Sequence, residues 1–198
     1  MNQFGKMNCP LSGPKAQQLV ELLEPARGGR VIDVGCGTGV LLLQIVQQHT
    51  AVGKGIDIDE QALRSARELA GQRGDEERID LEVANVQSAN LREDSFDVAV
   101  CVGATHACAA GELAYPAALK EMSRMVTGGG LLLIGEGYWK QPPAEEYLKF
   151  LGEPAGCYRD HSTNIAEAVD MGLTPIFATT ASVDEWDEFE WRHHRALL

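Results

Sequence analysis

Residues 31–39 read VIDVGCGTG, a β-branched run that breaks into glycines at alternate positions before a helical apolar stretch. No other segment constrains the fold as tightly. Val31, Ile32 and Val34 favour a pleated strand, and Gly35, Gly37 and Gly39 permit a tight turn that bulkier residues would obstruct. Residues 40–46, VLLLQIV, are apolar on most faces, as expected of a helix buried against a sheet. Strand, glycine turn and helix in that order open a βαβ unit.

The rest of the chain repeats the alternation. Ser12-Gly13-Pro14 starts a helix with proline at its first position, Leu19, Val20, Leu22 and Leu23 give it an apolar stripe, and Pro25 ends it. The pattern predicts strands over 30–34, 51–57, 79–84, 96–102 and 131–135, with a weaker sixth over 174–181. Helices are predicted over 39–49, 59–73 and 113–126, the last stopped by Gly128-Gly129-Gly130. Such alternation implies an α/β fold with a doubly wound, mostly parallel sheet and helices on both faces. Ligands of such sheets sit beyond the carboxyl ends of the strands, where the glycine turn falls. We read residues 1–198 as one domain, with 138–172 an insertion that forms a lid over an acceptor. Residues 182–198 read as a final helix opened by a Ser182/Glu185 capping box, with Trp186, Phe189 and Leu197 near one face.

Composition narrows the partners. With 29 acidic and 17 basic residues the net charge is −12, and no Lys/Arg cluster stands out. Phosphate backbones demand a positive stripe, so a small molecule is expected rather than nucleic acid. No apolar run approaches the ~20 residues of a membrane span, and the first residues have no apolar core of a secretory signal. Five cysteines without a CxxC pair argue against a disulfide framework or a CxxC-type zinc site. A cytoplasmic location without membrane partners is the simplest expectation.

What the turn binds is narrowed by neighbouring residues. A P-loop needs Lys-Ser/Thr after its last glycine, whereas Gly39 is followed by Val40-Leu41. A dinucleotide turn, G-x-G-x-x-G, places its third glycine where this chain has Val40; the mismatch weakens that reading and leaves it open. Asp57 closes strand two, where an acid can accept hydrogen bonds from ribose hydroxyls. Asp33, just before the turn, suits a cationic ligand better than a pyrophosphate. Asn85, past strand three, suits the edge of an adenine.

Together these residues resemble the class I S-adenosylmethionine (SAM)-dependent methyltransferases. The family's first motif is matched by D-V-G-C-G-T-G at 33–39, its strand-two acid by Asp57 in GIDID, and its acid or amide after strand three by Asn85 in EVANVQ. Phe96-Asp97 opens strand four as in the family, and Gly128–Gly130 leads into strand five. The resemblance covers roughly residues 15–137 and implies a Rossmann-like fold with SAM as cofactor and S-adenosylhomocysteine (SAH) as product. It implies that Gly35, Cys36, Gly37 and Gly39 approach the methionyl part and that Asp33 orients the turn or attracts its cationic end. It further implies that Asp57 holds the ribose, Ile58 packs on adenine, Asn85 and the Val86 amide read its edge, and Val102-Gly103 lines the methionyl side. The family's last, antiparallel strand has no counterpart in this sequence, so an uncovered edge that invites homo-oligomers is expected.

Methyl transfer asks little covalent chemistry of side chains, so catalytic residues are harder to read. His106, after strand four, is the first candidate for a base or acceptor-orienting group. Tyr138 and Trp139 follow strand five and can wall a sulfonium; packing is the alternative. His161, in RDHSTN of the insertion, is a further candidate whose place depends on how that insertion folds. Glu136 can pair with a cationic acceptor or cap a loop, and His193 and His194 suit the end of the last helix. Cys36, Cys101 and Cys108 can converge as a soft-acceptor site or serve as small apolar residues. The rival functions are a SAM-binding, non-catalytic partner subunit and an NAD-dependent oxidoreductase.

Overall fold

The computed structural model describes residues 7–152 and 154–196. The β-branched run becomes β1 (Arg30–Val34), and its alternation sorts the core into two layers. Val31 packs with Val20, Leu42, Ile45 and Val46 on one face, whereas Ile32 and Val34 pack with Met122 and Met125 on the other. The first face carries α1 (Gly13–Leu22), α2 (Val40–His49) and the Ala70 end of α3 (Glu60–Arg73). The second is covered by α4 (Ala114–Met125) and by Val86 and Leu91 from the loop before strand four. Each large side chain so buried contributes about 1.5–3 kcal/mol.

Five strands, all parallel, form the sheet in the order β3-β2-β1-β4-β5, with β2 at Val52–Asp57, β3 at Ile79–Val83, β4 at Phe96–Val102 and β5 at Val126–Gly135. The chain winds outward from β1 to β3, then crosses back to β4 beside β1. The order switches there, so a crevice opens between the carboxyl ends of β1 and β4.

Two expectations need correction. β5 begins at Val126, immediately after α4, and not at Leu131. The glycines form an irregularity within the strand, since Phe96 pairs with Val126 but Val98 pairs with Leu131. The predicted sixth strand over 174–181 is irregular chain. Pro175 offers no N–H to a ladder, and a cavity of about 960 Å³ separates this segment from β5. Among the described residues no antiparallel strand occurs and none lies beside the far edge of β5.

The insertion folds as α5 (Glu145–Leu151) and α6 (His161–Asp170). α6 is tied to α4 by the Tyr115 hydroxyl, which donates to the Asn164 carbonyl at 3.1 Å. The last helix, α7 (Val183–Ala196), opens on the expected capping box: the Ser182 N–H donates to Glu185 at 2.7 Å and the Glu185 N–H to the Ser182 hydroxyl at 3.2 Å. Glu185 also accepts from Lys15 and from the Ser12 N–H, which staples α7 to the start of α1. Leu197, expected on the apolar face of α7, lies outside the described residues.

Candidate active site

The glycine turn is stitched to its neighbours by backbone bonds. Gly35 and Cys36 both donate to the Ile56 carbonyl, at 2.8 and 3.2 Å, so the turn follows the end of β2. Gly35 has φ +70°, and a Cβ there would lie 2.2 Å from the Ala104 Cβ. Only glycine fits. The Gly37 N–H donates to Asp57 Oδ2 at 2.7 Å, and Oδ1 of the same carboxylate accepts the Asp59 N–H at 2.9 Å. Asp57 therefore fixes the turn, and each of its oxygens keeps a lone pair for a further donor such as a hydroxyl.

Above the turn lies a cleft of about 820 Å³, within the roughly 300–1,000 Å³ of small-molecule sites. Asp33, Gly35, Cys36, Gly37, Asp57, Ile58, Asn85, Val86 and Val102 all line it. Gly39 does not: it is the left-handed N-cap of α2, packed so that a Cβ would meet the Ala66 Cβ at 3.0 Å. Ile58 is 74% exposed beside Asp57, an apolar surface free to stack on a flat ring. Asn85 accepts the Gln87 N–H on its amide oxygen at 2.9 Å, which leaves its NH₂ as a donor. The sequence reading missed Met7, Asn8, Cys9 and Arg192, which line the same cleft. It also assigned His193 to the helix end, yet this ring lines the cleft as well, held between Asn8 Oδ1 at 2.8 Å and the Phe189 carbonyl at 2.9 Å.

Asp33 is only 3% exposed. Burial, reinforced by the nearby Asp57 charge, pushes its carboxyl up to about 8. An approaching cation would favour the ionised form, so the cleft suits a positively charged ligand end. The same burial has a consequence for stability. In the unfolded chain this carboxyl ionises near its ordinary value of 3.8, so between there and about 8 the folded protein holds the extra proton and stability falls as pH rises. Asp33→Asn is therefore expected to raise the melting temperature at pH 8.5 by ~5 °C or more, the gain shrinking toward pH 4. Thermal unfolding across pH checks this; a lower melting temperature at pH 8.5 contradicts it.

His106, exposed on a 3₁₀ turn (Thr105–Ala107) after β4, lines both this cleft and the 960 Å³ cavity beside β5. Tyr138 and His161 come together, rings 5.5 Å apart, and line the second cavity alone. Tyr138 thus does not line the cleft where a sulfonium wall was expected. Trp139 lines neither cavity: it packs edge-on against Tyr147 and Tyr158 and donates to the Ala155 carbonyl at 2.9 Å. Glu136 accepts the Thr105 hydroxyl and, at 2.7 Å, the Gly137 N–H, which ties the ends of β4 and β5 together. Burial pushes the Cys36, Cys101 and Cys108 thiols up, and Cys101 is fully buried. Their burial favours the neutral thiol over the thiolate, and no metal-holding cluster occurs among the described residues.

A methyltransferase-domain model matches residues 31–130, half of the chain, from the start of β1 into the glycines of β5. The chain belongs to this methyltransferase family. Its Rossmann-like sheet is that of class I SAM-dependent enzymes. The methyltransferase is 28% identical over 187 residues to YjhP of Escherichia coli (strain K12), covering 93% of this chain and 73% of that one. The X-ray structure of YjhP superposes with a TM-score of 0.84 at 27% identity, over 100% of this chain and 80% of that chain. A SAM-dependent methyltransferase from Geobacter sulfurreducens, crystallised with SAH, gives a TM-score of 0.83 at 26% identity, over 98% of this chain and 78% of that chain. Ribosomal protein L11 methyltransferase of Yersinia pestis is 37% identical over 113 residues, which is 54% of this methyltransferase but 34% of that protein.

Proposed function

We propose that the protein binds SAM in the 820 Å³ cleft and transfers its methyl group to a small-molecule acceptor held in the adjoining 960 Å³ cavity. The observation that carries this reading is that the two cavities share Asn8, Cys9, Val102, Gly103 and His106 around the carboxyl end of β4. A donor and an acceptor seated in them would meet there. The cofactor, when bound, supplies a methyl group already activated by a sulfonium. The chain's task is then to align the acceptor and exclude water. Asp57 and Asn85 suit the ribose and adenine, and Asp33 the cationic end. His106 takes or orients the acceptor proton at the junction, and Tyr138 and His161 shape the acceptor side. Residues 138–172 serve as the lid. The cytoplasm, where SAM is made and used, is the matching compartment.

Turnover of methyl-labelled SAM against a panel of small amines, thiols, phenols and carboxylic acids tests the reading. At least one class is expected to be methylated. His106→Ala is expected to lower kcat by about 10²–10⁴-fold while SAH affinity changes less than about threefold. Tight SAM binding without turnover on any acceptor would favour a non-catalytic partner subunit. An unchanged kcat in the variant would remove His106 from the chemistry.

A further inference from the structure

The cleft sets two opposite charges around Cys9. Asp33 lies at the end of β1, and Arg192 reaches the same cleft from α7. Cys9 sits over the end of β4, its Cβ 3.7 Å from where a Cβ on Gly103 would lie. Its thiol is pushed up to about 11 by burial, drawn down by Arg192 and raised further by Asp33. Both charges therefore act on one atom beside the glycine turn.

Arg192 is incompletely matched. Its Nη1 donates to the Met7 carbonyl at 3.0 Å, and its guanidinium carbon lies 5.7 Å from the Phe189 ring centroid. Its Nε is buried and has no hydrogen-bond partner among the described residues. Buried donors are rarely left unmatched, and arginine grips carboxylates through two parallel N–H bonds. An amino acid zwitterion carries a carboxylate and an ammonium on one carbon, the complement of an arginine and a buried aspartate facing one space.

We propose that Arg192 binds the α-carboxylate of the cofactor's methionyl group, with Asp33 toward its α-ammonium, so that α7 closes the cofactor cleft. This rests on SAM being the cofactor. It assigns to the final helix a role in donor recognition that the glycine motif does not supply.

The test compares SAM with decarboxylated SAM, which keeps the nucleoside, sulfonium and amine and lacks only the carboxylate. Affinities are measured by calorimetry for the wild type, Arg192→Gln and Arg192→Lys. The wild type is expected to prefer SAM by about 10–100-fold, the range for a charge-assisted pair. In Arg192→Gln the preference falls to within about threefold, decarboxylated SAM binds as before, and Arg192→Lys restores part of the preference. An Arg192→Gln variant that keeps the preference overturns the proposal. So does one that loses both ligands equally, since that marks a structural role for α7. A third ligand, 5′-methylthioadenosine, separates the two levels. If it and decarboxylated SAM bind without a carboxylate preference, only the Arg192 assignment falls; if no ligand of the series binds the wild type, the cofactor reading falls with it.

Discussion

Gly35→Ala is expected to destabilise the protein by about 2–5 kcal/mol and to abolish cofactor binding. Two costs combine. A side chain held at φ +70° costs ~1–2 kcal/mol, and a Cβ placed 2.2 Å from the Ala104 Cβ forces overpacking worth ~1–3 kcal/mol or more. For a chain of this size the melting temperature should fall by about 4–20 °C. The cost can also be divided. In a Gly35→Ala, Ala104→Gly double variant the clash is relieved but the backbone strain is not, so partial recovery of the melting temperature is expected. Full recovery would show that the positive φ carries no strain, and a Gly35→Ala variant as stable as the wild type would contradict both terms.

Asp57→Ala is expected to weaken SAH binding by about 100-fold or more while costing only ~1–2 kcal/mol of stability. The carboxylate holds the Gly37 and Asp59 N–H groups, at 2.7 and 2.9 Å, and these set the shape of the turn that the ligand must approach. Removing it loosens the turn and deletes the acceptor proposed for the ribose in one step. Asp57→Asn keeps one oxygen able to accept a backbone N–H, so its loss should be intermediate. Calorimetry and thermal unfolding on the same samples separate binding from folding. Equal SAH affinity in Asp57→Ala would remove this residue from the cofactor site.

Much of the sheet was legible because its signals are local. β1 and β4 have their predicted bounds, because a strand covered on both faces reads as a near-continuous apolar run. Part of the cleft lining was legible for the same reason: Asp33, Gly35, Gly37, Asp57 and Asn85 lie at or just past strand ends, which topology alone brings to one crevice. The sixth strand failed because Ile176 and Phe177 have strand propensity but no partner strand, and propensity without pairing does not make a strand. The glycines at 128–130 read as a stop and proved to be an irregularity within β5, since a turn and a bulge call for the same residue. Arg192 and the segment around Asn8 were missed because their meeting is tertiary. Arg192 and Met7 stand 185 residues apart, and no periodicity in either segment records the other.

Which ligand the cleft over VIDVGCGTG prefers decides between a methyl donor and a dinucleotide. The deciding measurement is calorimetric titration of the wild-type protein with SAM, SAH and NAD under one set of conditions. One site per chain is expected for SAM and SAH, with dissociation constants of about 1–100 µM (roughly −8 to −5 kcal/mol), and no measurable heat with NAD. Binding of NAD in preference to both sulfur ligands, or no binding of SAM and SAH by a folded sample, would contradict that expectation.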